Sequence, residues 1–240
     1  KMKTDKILLL VVLAFLILST WNGYRKGFLK IALSMAAMVG TIIIVGILNP
    51  YVSRFLIEHT GLYETLHENT EEFVEEIFDK QINSVIQTRT DEIFAIDNLA
   101  LPKSIREKLI ADNNSVIYET LGVTDFKEYL SRYLALMILN VISFIGTLLI
   151  AGFIVKVIFV MADIIEKVPG IKGLNKTAGL VFGFLQGMII LWIGCLIVTA
   201  FGATKTGQEI LAMIRGSVIL SFIYNNNCLM LLVGNIIKLL

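Results

Sequence analysis

Hydrophobic residues in this chain are concentrated in four long runs, and polar residues collect between the runs. The runs cover residues 7–21, 28–48, 133–165 and 178–201. A membrane-spanning helix needs about 20 apolar residues, so three of the runs are long enough to cross a bilayer. The first run is shorter. Its helix therefore either extends toward Phe28, thins the bilayer or stops short of crossing it. The pattern predicts an all-α polytopic membrane protein with about four transmembrane helices.

The segment between the second and third runs, residues 51–132, is acidic and has a helical pattern. Apolar residues at positions 73, 74, 77 and 78 favour one amphipathic face. We expect the second run to end at Asn49-Pro50, because proline interrupts helices. Further helices are predicted to begin at Pro102 and at Thr124-Asp125, the latter flowing into the third run without a break. The acidic residues are Glu64, Glu68, Glu71, Glu72, Glu75, Glu76 and Asp79.

The last segment, residues 202–240, combines an amphipathic stripe with a short apolar end. The end, residues 228–240, is too short to span a bilayer and predicts an interfacial helix or a packing element. The chain therefore divides into four parts. These are the first two transmembrane helices in 1–50, a helical insertion in 51–132, a transmembrane hairpin in 133–201 and an amphipathic tail in 202–240.

Three glycines lie four residues apart at the head of the fourth run: Gly179, Gly183 and Gly187. In a helix this spacing places them on one face, where the absence of side chains lets another backbone approach closely. We interpret the face as a helix-packing surface whose partner is a helix of this chain or of a neighbouring subunit. A pore-lining or hinge helix is the functional alternative.

Two short connections, residues 22–27 and 166–177, are basic and rich in glycine. Their structural interpretation is a tight turn anchored at anionic headgroups, and the functional one is docking of a lipid or a protein partner. The positive-inside rule places both turns in the cytoplasm, and therefore places the insertion and the tail outside. Lys1, Lys3 and Lys6 oppose this orientation. The candidate docking residues are Gly23, Arg25, Lys26, Gly27, Phe28, Lys172 and Lys176.

Polar side chains inside the apolar runs are costly in a membrane and need partners. Asn140 and Ser143 lie one turn apart in the third run, and Gln186 lies in the fourth. Hydrogen bonds between helices are the simplest role for them, and a substrate pathway is the alternative. Lys156 either reaches the membrane edge or pairs with Asp163.

Composition and motifs restrict the chemistry. Of 240 residues, 56% are hydrophobic and 17% are charged, and the net charge of +1 indicates no nucleic-acid partner. Cys195 and Cys228 lie in apolar segments and support neither a disulfide nor a redox pair. His59 and His67 lack a third ligand, so we expect no metal and no other cofactor. Without a nucleophile elbow, a P-loop or a Cys–His pair, the sequence predicts no enzyme.

The two glycine motifs together resemble the colicin V production protein (CvpA) family of bacterial inner-membrane proteins. Residues 23–30 are similar to the family's Gly-x-x-Arg/Lys-Gly-Phe turn. Residues 173–176 and the three spaced glycines look like its basic turn and last helix. The resemblance covers residues 5–50 and 135–200 and treats 51–132 as a lineage-variable insertion. Ile31 stands where many members carry a glutamate, so no role of that acid is transferred.

The resemblance implies a protein that is accessory to the production or export of a peptide toxin and to envelope homeostasis. We expect a non-enzymatic homo-oligomer in the bacterial inner membrane that presents the acidic insertion to an extracytoplasmic protein partner. The alternative is a small oligomeric channel or transporter built around the fourth helix.

Overall fold

The computed structural model describes residues 2–81, 88–161 and 174–236. In these residues four helices are long and apolar enough to span a membrane, which confirms an all-α polytopic membrane protein. The helices of the described residues are α1 (Met2–Lys26), α2 (Phe28–His59), α3 (Leu62–Gln81), α4 (Arg89–Asn98), α5 (Lys103–Asp112), α6 (Ser115–Leu121), α7 (Phe126–Met161), α8 (Leu174–Ala200), α9 (Lys205–Arg215), α10 (Val218–Asn225) and α11 (Met230–Val233).

The four candidate spans, α1, α2, α7 and α8, differ in length. α1 has 25 residues and α8 has 27, whereas α2 has 32 and α7 has 36. A helix rises about 1.5 Å per residue and crosses the hydrocarbon core in about 20 residues. The helix that contains the short first run is therefore long enough to cross, because it continues to Lys26. α2 and α7 are long enough to extend well beyond the bilayer.

The predicted end of the second helix at Asn49-Pro50 is wrong. α2 continues through Pro50 to His59. A proline inside a helix costs about 3 kcal/mol. Asn49 and Ser53 are only 1% and 0% exposed, and both hydrogen-bond to α7. Packing of this face against α7 offsets the missing backbone hydrogen bond, and the helix continues.

The first half of α7 is the central element of a layer of shorter helices. Tyr129 and Tyr133 are fully buried there. Their hydroxyl groups donate to the Leu109 carbonyl oxygen at 2.7 Å and to the Asp112 carboxylate at 2.9 Å, which fastens α5 to α7. As predicted, α7 begins directly after Asp125, whose carboxylate accepts a hydrogen bond from a backbone N–H of the first turn.

The insertion and the chain end pack into the same layer. α3 buries Val74 and Phe78 and exposes its glutamates, so the predicted amphipathic face is confirmed. From the chain end, Val233 and Ile236 are 0% exposed. The backbone N–H of Lys103 donates to the Asn225 side chain at 2.9 Å, joining α5 to α10. We call α3–α6 and α9–α11, with the projecting ends of α2 and α7, the helical layer.

Candidate functional site

The closest helix contact in the membrane region joins α1 and α8, which run antiparallel. A Cβ atom placed on Gly183 would lie 2.6 Å from the Ser19 carbonyl oxygen and 2.8 Å from the Gly23 Cα. One placed on Gly187 would lie 2.8 Å from the Ser19 Cβ. These separations are too short for any side chain. The structure thus gives the glycine ladder a partner within the same chain, which the sequence left open.

The glycines of the first motif form the other side of this contact. A Cβ on Gly23 would overlap the Gly179 carbonyl oxygen and lie 2.7 Å from the Gly183 Cα. Next to it, Phe28 meets Phe182 edge to face with ring centroids 4.9 Å apart. The two motifs are therefore two halves of one contact. We call it the glycine seam, formed by Gly23, Gly27, Gly179, Gly183 and Gly187.

The turn beside the seam is a single residue, Gly27, between α1 and α2. Its φ of 78° lies in the region that favours glycine. Arg25 and Lys26 are exposed, and the Lys176 ammonium lies 5.4 Å from the centre of the Tyr24 ring. This end of the molecule presents cations and aromatic rings, as expected at a membrane interface. Lys172 lies outside the described residues.

A buried polar cluster joins α2, α7 and α11. The Asn140 side-chain oxygen accepts hydrogen bonds from the Asn49 amide at 2.5 Å and the Ser53 hydroxyl at 3.1 Å. The Asn140 amide donates to the Val233 carbonyl oxygen at 2.5 Å. Asn140 is 2% exposed. We call Asn49, Ser53, Asn140 and Val233 the polar node.

The other predicted intramembrane polar residues are not gathered into one site. The Gln186 amide donates to the Ser34 hydroxyl at 3.1 Å, joining α8 to α2. Ser143 is buried, and its hydroxyl has no hydrogen-bond partner in the described part of the chain. Lys156 is exposed near the end of α7, and Asp163 lies outside the described residues. Gln186, Ser143 and Lys156 thus lie at separate places on the helices that the structure describes.

Sequence reasoning missed Asn49 and Ser53, the α2 half of the node. Asn49 was interpreted with Pro50 as a helix end, and Ser53 then fell in the insertion. Their spacing of four residues puts both on one helix face and could have indicated a polar contact there. The spacing has this meaning only if the helix continues past Pro50.

The two histidines take separate positions in the layer. His59 is exposed at the end of α2 and stacks on Phe55 with ring centroids 4.7 Å apart. His67 lies against Tyr63 on α3, with centroids 5.9 Å apart. Across residues 2–81, 88–161 and 174–236, no group of three His, Cys, Asp or Glu side chains is arranged to hold a metal ion. Cys195 and Cys228 are both free.

The fold and these contacts define a multi-pass α-helical membrane protein held together by a glycine seam and a polar node. Residues 117–227 match the family model described as Colicin V production protein. This part of the chain, and with it the helix that carries the glycine ladder, is similar to that family. Neither the curated proteins nor the solved structures give a match to the chain.

The matched range differs from the range that the two motifs cover. It begins within the acidic segment and includes residues 117–132. It also reaches beyond residue 200 and takes in α9 and α10. The motif at residues 23–30 lies outside the match, although its glycines pack directly on matched ones.

Proposed function

We propose that the protein is a non-enzymatic accessory protein for the production or export of a peptide toxin and for envelope homeostasis. The observation that carries the proposal is the continuity of α2 and α7 from the membrane into the helical layer. A layer built on two spanning helices is fixed to the membrane part and suits the task of holding a partner at a set place. The match to the colicin V production family supports the biological context.

The acidic face of α3 is the surface proposed to meet the protein partner. Thr70, Val74 and Phe78 hold α3 on the layer, and the opposite face points to solvent. Grouped carboxylates favour a partner with a basic surface, because complementary charge speeds and orients association. The exposed glutamates are Glu64, Glu68, Glu71, Glu72, Glu75 and Glu76.

The proposed homo-oligomer uses a surface other than the glycine ladder, since α1 already occupies the ladder. The second half of α7 is the candidate, because its large side chains are exposed. Leu149 and Phe153 are 70% and 68% exposed, and Ile150 and Ile154 lie beside them. A neighbouring copy would cover this stripe. The mass of the complex in native membrane extracts tests this proposal, and a monomer at all concentrations would contradict it.

We place the protein in the bacterial inner membrane with the layer on the extracytoplasmic side. Glu72→Cys in the layer and Arg25→Cys at the basic turn report opposite faces, in a background carrying Cys195→Ala and Cys228→Ala. An impermeant thiol reagent applied to intact cells is expected to label Glu72→Cys and to spare Arg25→Cys. The reverse result would overturn the orientation.

Secretion of a peptide toxin from cells that lack this protein tests the function. We expect the wild-type gene to restore secretion, and the variant Glu68→Gln/Glu72→Gln/Glu75→Gln to fail while remaining folded, because these residues are exposed. Gly40→Ala serves as the control, since a Cβ at Gly40 meets no atom within 4 Å. Full secretion by the triple variant would contradict a role for the α3 face.

Reconstitution separates the accessory role from a channel or transporter. Purified protein in liposomes is expected to give no ion flux, in keeping with the involvement of Asn140 and Gln186 in hydrogen bonds between helices. A reproducible conductance that changes with Gln186→Leu would overturn the accessory role in favour of the channel.

A further inference from the structure

Two cavities of opposite character meet at the bend between α9 and α10. The two helices meet at 112° where the spanning helices join the layer, and α9 packs against both α1 and α8. The cavity on the membrane side has a volume of about 200 Å³ and aliphatic walls from α1, α8, α9 and α10. Leu8, Val12 and Val198 line it, and Gly194 leaves space on the α8 wall.

The cavity on the layer side is polar and basic. Its volume is about 100 Å³, and it is lined by Arg106 of α5, Arg215 of α9, and Ser221 and Asn225 of α10. Ile214 lines both cavities, so the two adjoin each other at this side chain. Two guanidinium groups, an amide and a hydroxyl thus surround one small space next to the apolar cavity.

The arginines have a structural role that leaves donors unused. Arg106 donates to the Asp97 carbonyl oxygen at 2.6 Å, and Arg215 donates to the Leu99 carbonyl oxygen, so both hold the carboxyl end of α4. The Asp97 carboxylate lies 3.9 Å from Arg106 and is 58% exposed. The Arg106 Nε is buried and has no partner among the described residues.

The local charge favours an anion. Burial, and after it the positive charge of Arg106, lowers the pKa of the Arg215 guanidinium. Capping of α4 explains the bonds to the carbonyl groups. It does not explain a polar space between two like charges, or a buried donor without an acceptor. A phosphate group would supply acceptors to both guanidiniums and relieve their repulsion.

We propose that the α9–α10 bend binds one glycerophospholipid, with its phosphate between Arg106 and Arg215 and an acyl chain in the apolar cavity. The order of the two cavities matches a lipid in the leaflet on the layer side, with the headgroup toward the layer and the chain toward the spans. Val218 and Phe222 are 88% and 67% exposed on the outer face of α10 and provide a surface for the second chain.

Native mass spectrometry of the full chain, delipidated in detergent and titrated with phosphatidylglycerol, tests the proposal. We expect one lipid to bind, and Arg106→Gln/Arg215→Gln to weaken its binding about tenfold or more, because each lost guanidinium removes a charge-assisted hydrogen bond. Arg54→Gln is the matched control. This arginine is exposed on the projecting end of α2 and does not line the cavity.

A second arm leaves the arginines and the α4 end intact. Gly194→Leu is expected to fill the apolar cavity and weaken lipid binding by a similar factor, since a Cβ there meets no atom within 4 Å. Gly40→Leu, which also has open space but lies on α2, should leave binding unchanged. This arm stays informative even where the arginine variant loses stability.

Three results would overturn the proposal. The first is equal binding by wild type, Gly194→Leu and the arginine variant. The second is a weakening of lipid binding in both controls that equals the weakening in the test variants. The third is binding of inorganic phosphate as tight as that of phosphatidylglycerol, with Gly194→Leu unaffected, which would show a site for free anions in place of a lipid site.

Discussion

The α1–α8 pair and the α2–α7 pair achieve close helix packing in opposite ways. At the glycine seam, side chains are absent and two backbones nearly touch. Between α2 and α7, side chains fill the contact, with Val45 and Val141 at 0% exposure and the polar node beside them. The first contact depends on the absence of atoms, and the second depends on the matching of hydrogen-bond donors and acceptors.

The difference shows how much each helix depends on its contact. In the most apolar stretch of α1 only 11% of the residues are buried inside the protein, whereas in that of α7 the share is 56%. Among the described residues, α1 makes only short approaches to α2 and α9 besides its contact with α8, so damage to the seam should detach it. α7 is held by many neighbours, and damage to one of its contacts should be partly absorbed.

The largest effect is expected from Gly23→Ala, which adds a methyl group where it would overlap the Gly179 carbonyl oxygen. Because backbone atoms cannot move aside as a side chain does, the helices must separate, at a cost of about 3 kcal/mol in the free energy of unfolding. Unfolding in mixed micelles measures this cost. Gly40→Ala is the control with open space, and equal stability of the two variants would refute the seam.

An intermediate effect is expected from Asn140→Leu, which removes the side-chain partner of the Asn49 amide, the Ser53 hydroxyl and the Val233 carbonyl. The Asn49 amide keeps a longer hydrogen bond of 3.4 Å to the backbone carbonyl of residue 140. Stranded buried polar groups cost about 1–3 kcal/mol each, and relaxation should reduce the total to about 2 kcal/mol. The double variant Asn49→Leu/Asn140→Leu should regain part of this loss, because both partners are then apolar. Simple addition of the two single losses would argue against the node.

The smallest effect is expected at the contact between α8 and α2. Gln186→Leu and Ser34→Ala each remove the same hydrogen bond of 3.1 Å. Such bonds contribute about 0.6 kcal/mol in membranes. The two substitutions should give similar losses, and the double variant should lose no more than either single one. A clearly larger loss in Gln186→Leu alone would assign Gln186 a second role.

The membrane architecture was largely predictable, because hydrophobic run length and glycine spacing are local properties. The runs identified four candidate spans, and the ladder at 179, 183 and 187 indicated a close backbone approach. What the ladder contacts was not predictable. Two glycine faces 156 residues apart, Gly23 and Gly179, are complementary only once α1 and α8 are placed side by side.

The layer was harder to predict, because its stability comes from contacts distant in sequence. Pro50 correctly signals a missing backbone donor, but the burial of Asn49 and Ser53 against α7 overrides it. The chain end has weak local signals, yet Val233 is buried beside Asn140. The basic cavity needs α5, α9 and α10 together, and Arg106 and Arg215 carry no common motif in the sequence.

Cysteine cross-linking of residue 24 to residue 176 tests most directly whether α1 of the same chain occupies the glycine ladder of α8. The variant Tyr24→Cys/Lys176→Cys, without Cys195 and Cys228, is expected to be joined within one chain by a short bifunctional thiol reagent, because the Lys176 ammonium lies 5.4 Å from the centre of the Tyr24 ring. Co-expressed chains carrying Tyr24→Cys or Lys176→Cys alone should then give no cross-linked dimer. A dimer from the co-expressed single variants, with no link inside the double variant, would show that the ladder binds a neighbouring copy and would contradict this arrangement.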